Sequence, residues 1–310
     1  MTDEQPARQL ADIASIHAAV GDEDTAHLLI GLNEVVSSRA VAGLDVDVES
    51  HDEGVRLRIV VADGAVIAKP VHMCFGLLQQ AGIQRIDLDF AVGSGAKIDV
   101  IAHCVFPNAT DIQHLMNADI RIGAGARYSY FERHIHSDAG GLLVVPKAKV
   151  TLAEDARFRT DFELVEGRVG TLKIDYETTC GPRSVLEMTA KVAGRGDDKI
   201  DIRETGHLTG EDARGALTSR VAVRDDARAD VYNKLTATAA GARGHVDCKE
   251  IITDRGIANA VPIVEVSHPK AHVTHEAALG SVDSKQLQTL MARGLTEDAA
   301  GDLIIAGLLS

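Results

Sequence analysis

Asp212-Ala-Arg-Gly-Ala-Leu-Thr-Ser-Arg-Val-Ala-Val-Arg-Asp-Asp-Ala227-Arg-Ala-Asp-Val-Tyr-Asn-Lys-Leu-Thr-Ala-Thr-Ala-Ala-Gly-Ala242-Arg243 is the stretch on which the fold turns. Three times a small or acidic residue, then Ala, then Arg opens a run of strand length, at spacings of 14 and 15 residues. Upstream the same opening recurs as Gly-Ala96-Lys, Gly-Ala126-Arg and Asp-Ala156-Arg, 30 residues apart. A unit of about 15 residues, sometimes doubled, accounts for both spacings. One strand per short unit reads as a solenoid of stacked rungs, a right-handed β-helix, with corners at the small and acidic steps. The interval from 156 to 213 interrupts the repeat, and an antiparallel β-sandwich is the competing reading.

Working outward, short alternating runs fill the region on both sides, from Ile86-Asp-Leu-Asp-Phe to Thr171-Leu-Lys-Ile-Asp-Tyr-Glu and Lys199-Ile-Asp-Ile-Arg. Each is the length of one strand. Residues 5–37 read as two helices, the first on Leu10, Ile13, Ile16 and Val20, the second from Asp24 to Val36. Asp63-Gly64 is a hairpin signal with Ala65–Lys69 as its return strand, and a short helix is expected near Cys74. After Pro269 the pattern turns helical. Asp283 or Ser284 caps one helix, Gly294 ends it, and Thr296 caps the last. The expected fold is therefore mainly β. Residues 1–67 form a small N-terminal helical and α+β cap, 68–266 the β-helix, and 267–310 a C-terminal helical subdomain.

The composition narrows the function. The 310 residues are 45% hydrophobic but only 3% aromatic, with no Trp, so Val, Ile, Leu and Ala must build the core. A formal net charge of −14 argues against nucleic acid and anionic membranes as partners. No apolar stretch is long enough for a membrane helix and no signal peptide is visible, so a cytoplasmic protein is expected. No G-x-x-x-x-G-K-[ST], G-x-G-x-x-G or G-x-S-x-G motif is present, so any ATP used is hydrolysed by another subunit.

Two groups of residues carry metal-ligand chemistry. In Gly244-His-Val-Asp-Cys-Lys-Glu-Ile-Ile, strand alternation puts Cys248 on one face with Val246 and Glu250, and nearby Lys249 and His245 would favour thiolate. About 25 residues later come His268, His272, His275 and Glu276. Alternation separates His275 from Glu276 unless the chain bends there. The second group is Cys104, His114, Glu132, His134 and His136, of which the last three share a strand face. Stacked rungs would bring Cys104 and His114 close to them. Thiolate, imidazole and carboxylate together suit iron or zinc, whereas hydrogen-bonded polar residues at a junction or a solvent face are the plainer alternatives. Cys74 and Cys180 are isolated and read as structural.

Val264-Glu-Val-Ser-His-Pro-Lys-Ala-His-Val-Thr-His-Glu-Ala-Ala-Leu-Gly, followed by Asp283-Ser-Lys-Gln-Leu and Arg293-Gly-Leu, resembles the C-terminal signature of the SufB/SufD family. These are core subunits of the Suf iron–sulfur cluster assembly machinery, and this chain is similar to a compact, archaeal-type version. The resemblance implies a β-helix and a scaffold rather than an enzyme. Cys248 falls where SufB has the cysteine that receives sulfur and holds the nascent cluster. Glu276 falls on the SufB carboxylate, and His275 on the histidine that SufD uses. The resemblance further implies a transient iron–sulfur cluster at Cys248, Glu276 and His275, with His272, Cys104, His134 and His136 as weaker metal candidates. The implied partners are a SufC-like ABC ATPase docked on the C-terminal helices, a second copy or a SufB/SufD-type paralogue, and sulfur-donor and cluster-acceptor proteins. The competing functions are a β-helix carbohydrate-active or transferase enzyme and a cluster-free structural partner.

Overall fold

The computed structural model describes residues 4–51 and 54–310. Two helices, α1 (Glu4–Ile13) and α2 (His17–Gly21), precede nineteen strands and two further helices among the described residues. The strands are β1 (His27–Gly31), β2 (Glu34–Arg39), β3 (Leu44–His51), β4 (Gly54–Val61), β5 (Val71–Gly76), β6 (Ala81–Val92), β7 (Lys97–Phe106), β8 (Asp111–Ile122), β9 (Arg127–His136) and β10 (Leu142–Leu152). They continue as β11 (Arg157–Glu166), β12 (Gly170–Cys180), β13 (Val185–Gly194), β14 (Lys199–Leu208), β15 (Arg214–Val223), β16 (Arg228–Ala237), β17 (Arg243–Ile252), β18 (Ile257–Val266) and β19 (His272–Gly280). Helices α3 (Ser284–Met291) and α4 (Glu297–Leu309) close the chain.

From β4 onward the chain coils as a β-solenoid of about 8 turns. Each turn gives one strand to each of two sheets, so odd-numbered strands from β5 to β19 stack in one sheet and even-numbered strands from β4 to β18 in the other. All of these pairings are parallel, which rules out the sandwich. The 14–15-residue unit is thus half a turn, and the 30-residue spacing a whole one. Across the interrupted interval Arg157 pairs with Val185 and Val185 with Arg214, so Ser184 stands between Ala156 and Ala213 at the same corner. Its hydroxyl donates to the Gly181 carbonyl at 2.8 Å, and the repeat is continuous in space where it is broken in sequence.

The corners need left-handed backbone, which glycine adopts freely and Asp tolerates better than most residues. Gly95, Gly125, Asp155, Asp212 and Gly241 all have φ between 56° and 71° directly before the corner Ala. The step behind them is enclosed and takes a small side chain: Ala96, Ala126, Ala156, Ala213 and Ala242 are fully buried, as is Ser184 at the equivalent place. Inside, alternate residues of both sheets meet in one continuous core in which columns such as Leu172, Ile200 and Ala229 stack rung on rung. Each buried Val, Leu or Ile contributes roughly 1.5–3 kcal/mol.

The N-terminal segment differs from expectation. Asp24–Val36 is not a helix but holds β1 and the first half of β2, because Leu28 and Ile30 face the solenoid core while Leu29 is buried beneath α1. An apolar run buried on both faces suits a strand as well as a helix, and sequence periodicity does not separate the two. Cys74 lies in strand β5, not a helix, and packs under α1 beside Leu10 and Val105. Asp63-Gly64 is the first solenoid corner rather than a hairpin turn. Gly64 N–H donates to the Ser94 carbonyl one rung on, and residues 65–69 contribute one isolated bridge, Val66 to Lys97.

The two ends of the solenoid are unlike. The antiparallel strands β2 and β3 cap the first rung of each sheet. At the other end β18 and β19 are the last strands, and no strand among the described residues pairs with their outer edges. The chain past Pro269 therefore first adds β19 and becomes helical only at Ser284. Asp283 caps α3 through Gln286 N–H at 2.7 Å, and Thr296 caps α4 through Ala299 N–H at 3.3 Å. Helix α4 folds back so that Ile305 and Leu309 rest on Ala193 and Ala222 of the odd-numbered sheet, tied by Arg224 to Asp302 at 2.7 Å. Helix α3 buries no residue, and Met291 and Leu303 stay exposed.

Candidate functional site

Cys248 sits in β17 and points into the solenoid, fully buried. Alternation places Val246 and Glu250 beside it on the inner face, and the rung below supplies Ser219 as its direct neighbour. Across the interior the Asn233 amide of β16 donates to its sulfur at 3.8 Å, and the Ser219 hydroxyl donates to Glu250 at 3.3 Å. Glu204, which pairs in register with Asn233, completes a buried polar group at this end of the solenoid. Burial pushes the Glu204 carboxyl up to about 8 and Glu250 to about 7.

Burial also pushes the Cys248 thiol up, to about 11, and the Ser219 hydroxyl only partly opposes it. The expectation that Lys249 and His245 favour its thiolate is therefore corrected. Both side chains lie on the outer face, Lys249 3.9 Å from Asp247 and His245 hydrogen-bonded to Thr274 at 2.8 Å. All four cysteines are buried free thiols, with Cys74 and Cys180 raised to about 12 and Cys104 well above its ordinary value. Because only thiolate alkylates, the folded chain should resist iodoacetamide at neutral pH, and Cys248 should label first as pH rises. Peptide mapping checks this. Labelling of Cys248 near pH 7 at the rate of an unfolded control would show that its thiol is not shielded.

Strand β19 lies on the open edge beside β17. Its register sets His275 beside Val246, Glu276 beside Asp247 and Ala277 beside Cys248. His275 thus shares the inner face with Cys248, displaced by two residues, whereas Glu276 faces outward with Asp247, which pairs with Arg220. The backbone stays extended through both residues. His272 is also outward and exposed, next to Arg243. His268 belongs to the corner before β19, where its Nδ1 accepts from Lys270 N–H at 3.1 Å.

The second group comes together in the interior near the other end, not on a solvent face. Cys104 of β7 and Glu132, His134 and His136 of β9 are all buried, as is His114 of β8 across the core. The Cys104 thiol donates to Glu132 Oε1 at 3.5 Å, and its sulfur is 3.6 Å from His114 Nε2. His134 Nε2 lies 2.8 Å from the same Glu132 oxygen, and His134 Nδ1 is 3.1 Å from His136 Nε2. Burial raises the Glu132 carboxyl, but the His134 hydrogen bond and the charges of His134 and His114 outweigh it, so the group ends below its ordinary value. Burial drives His114 down to about 3 and His136 well below the usual imidazole range.

The two groups are separate. One inner column runs Ala102, Glu132, Phe162, Ala190, Ser219, Cys248, Ala277. Glu132 and Cys248 are thus four rungs apart, roughly 19 Å at the usual strand spacing. Apolar Phe162 and Ala190 stand between them. Glu204 and Asn233 did not stand out in the sequence motifs, yet they carry a readable signal. Each is a polar residue at the inward parity of an alternating run, in Ile200-Asp-Ile-Arg-Glu204 and Val231-Tyr-Asn233-Lys-Leu.

Comparison with known proteins adds to this geometry. Residues 81–308 match the family model described as SUF system FeS cluster assembly, SufBD core domain. The chain is 34% identical over 282 residues to an iron–sulfur cluster assembly SufBD family protein of Methanocaldococcus jannaschii, covering 91% of this chain and 89% of that one. It is also 34% identical over 284 residues to a protein of the same description from Pyrococcus horikoshii, covering 92% and 86%.

Proposed function

The chain belongs to the SufBD family of iron–sulfur cluster assembly proteins, and on that premise we propose that it is a non-hydrolytic scaffold on which iron and sulfur are joined at Cys248. The observation that carries this reading is the place of Cys248: inside the solenoid, one rung below an edge that no strand among the described residues covers, with His275 on the same face. The thiol takes sulfane sulfur from a donor persulfide, whose own thiol leaves, or loses its proton and binds iron, and the imidazole supplies a weaker bond from which a finished cluster can leave. Metal binding displaces the thiol proton, so a thiol kept neutral by burial stays unreactive until iron or a sulfur donor arrives.

A second copy completes the site. The free edges of β18 and β19 present unpaired N–H and C=O groups, and Val261, Val266 and Leu279 are exposed around them. Two such edges meeting would bring Cys248 and His275 of each copy, and the outward Glu276, into one interface. A partner ABC-type ATPase docks on α3 and α4, whose exposed Met291 and Leu303 support that role. The complex works in the cytoplasm. No helix among the described residues is long and apolar enough to cross a membrane. The carbohydrate-enzyme alternative needs a free carboxylate pair in an open groove; the groove of about 520 Å³ on the even-numbered sheet carries Asp87, Asp89, Asp119, Asp175 and Glu177, but Arg121 pairs with Asp89 and Asp119, and Arg56, Lys147 and Lys149 line the same wall.

Anaerobic incubation of the full chain with iron(II) and sulfide tests the reading. The expected result is sulfur-to-iron charge-transfer absorption and passage of the cluster to an apo-acceptor protein. A chain that acquires no cluster, with or without an ATPase partner, does not have this function.

A further inference from the structure

We propose that Cys104, Glu132 and His134, with His114 closing a fourth position, form an interior site for one divalent transition-metal ion, separate from the Cys248 edge. The ligand atoms of the first three already lie within 4.8 Å of one another. A tetrahedral site with bonds of 2.0–2.3 Å needs ligand-to-ligand edges of roughly 3.3–3.7 Å. The distances across Cys104–Glu132, Cys104–His114 and Glu132–His134 are 3.5, 3.6 and 2.8 Å. These three edges lie near that range, while His114 touches the group through Cys104, stands outside the 4.8 Å set and turns toward it as the ion binds.

Polar satisfaction gives a second argument. Glu132 is 1% exposed, and its Oε1 is shared between His134 Nε2 and the Cys104 thiol. Its Oε2 makes no hydrogen bond, although the Tyr130 hydroxyl stands nearby. A carboxylate enclosed without a strong cation is costly. A divalent ion with one thiolate and one carboxylate is neutral overall, which suits a low-dielectric interior. One sulfur, one oxygen and two imidazole nitrogens also match a borderline ion such as iron(II), cobalt(II) or zinc(II).

His136 has a different role. Its Nε2 holds His134 Nδ1 at 3.1 Å, which aims His134 Nε2 at Glu132 and the thiol. That is how a metal-binding imidazole is usually oriented, and His136 is a positioning residue. A cavity of about 30 Å³ with Glu132, Tyr130 and Lys147 in its wall adjoins the carboxylate and is large enough for water that an arriving ion would shed. Loading breaks the sulfur–hydrogen bond of Cys104 and forms a sulfur–metal bond, and the proton leaves to solvent. That the ion is iron bound for a cluster rests on the family reading. The site itself does not.

Anaerobic titration of the full chain with cobalt(II) alone is the test. The expected result is one tightly bound ion per chain with a thiolate-to-cobalt charge-transfer band. Cys104→Ser should remove the band and Cys248→Ala should retain it. Glu132→Gln, which keeps the side-chain shape, should weaken binding at least about tenfold, and His136→Ala by about 10–100-fold. Circular dichroism identifies any variant that fails to fold, and the near-isosteric Glu132→Gln then decides. A band that follows Cys248, absence of the band in the unaltered chain, or unchanged affinity in Glu132→Gln overturns the proposal. An empty cobalt titration removes the site and leaves the family reading. A filled site with no cluster on reconstitution removes the family reading and leaves the site.

Discussion

Cys248→Ala is expected to lower cluster uptake on anaerobic reconstitution by at least about tenfold, the loss that follows even when an outer partner of a metal ligand is removed. Among the described residues Cys248 is the only thiol near the open edge. Its inner-face neighbours, Val246, Ser219 and Ala277, offer no sulfur to replace it. The two edge candidates should then separate. His275 shares the inner face, roughly 8 Å from Cys248 between Cα atoms by the strand spacing and a two-residue rise. Glu276 faces outward with Asp247 and reaches the same cluster only around the edge or from a second copy. His275→Ala should therefore weaken cluster retention in every oligomeric state, and Glu276→Ala only where two copies meet. Iron and sulfide analysis after gel filtration measures both. Full cluster content in Cys248→Ala would remove the site, and loss in Glu276→Ala at monomer concentrations would remove the face assignment.

Glu204→Gln should make the folded chain more stable than the original at alkaline pH and change little in acid. The Glu204 carboxyl is fully enclosed, and burial raises it from 4.5 to about 8. Below its unfolded value both states hold the proton and no penalty arises. Between about pH 4.5 and 8 the folded chain keeps a proton that the unfolded chain has lost, so stability falls as pH rises. At about 1.4 kcal/mol per pH unit, the penalty reaches the order of a few kcal/mol by pH 8 and then levels off. Glutamine cannot ionise, so it removes this slope while filling the same space beside Asn233. Glu250, raised to about 7, leaves a smaller residual slope of the same sign. Denaturant titrations at about pH 5 and about pH 8 give the comparison. A difference between the two proteins that does not change with pH would show that Glu204 is not a buried neutral acid. A neutral Glu204 also matters to the site, since it spares the Cys248 thiol a second negative charge until a metal ion arrives.

Much of this molecule was written in local order. Alternation with period two and the openings of a small or acidic residue, then Ala, then a basic residue specify half-turn rungs, because glycine and Asp adopt the left-handed corner readily and a small residue fits the buried step behind it. The same alternation placed Cys248 inward with Glu250 and set His275 and Glu276 on opposite faces, as the register confirms. The caps at Asp283 and Thr296 are equally local, since a side-chain oxygen need reach only three residues ahead. Other features depended on neighbours distant in sequence. Asp24–Val36 became strand because α1 covers its outer face and the solenoid its inner one. Asp63-Gly64 turned a corner because Ser94 waits one rung away. The Cys104 group formed because β8, in the facing sheet, points His114 across the interior to a sulfur on β7. Residue order alone determined that thiol, carboxylate and imidazole point inward. Which of them meet, and that dry surroundings keep the Cys248 thiol protonated despite adjacent Lys249, was decided by stacking, since burial acts through the whole enclosing wall rather than through sequence neighbours.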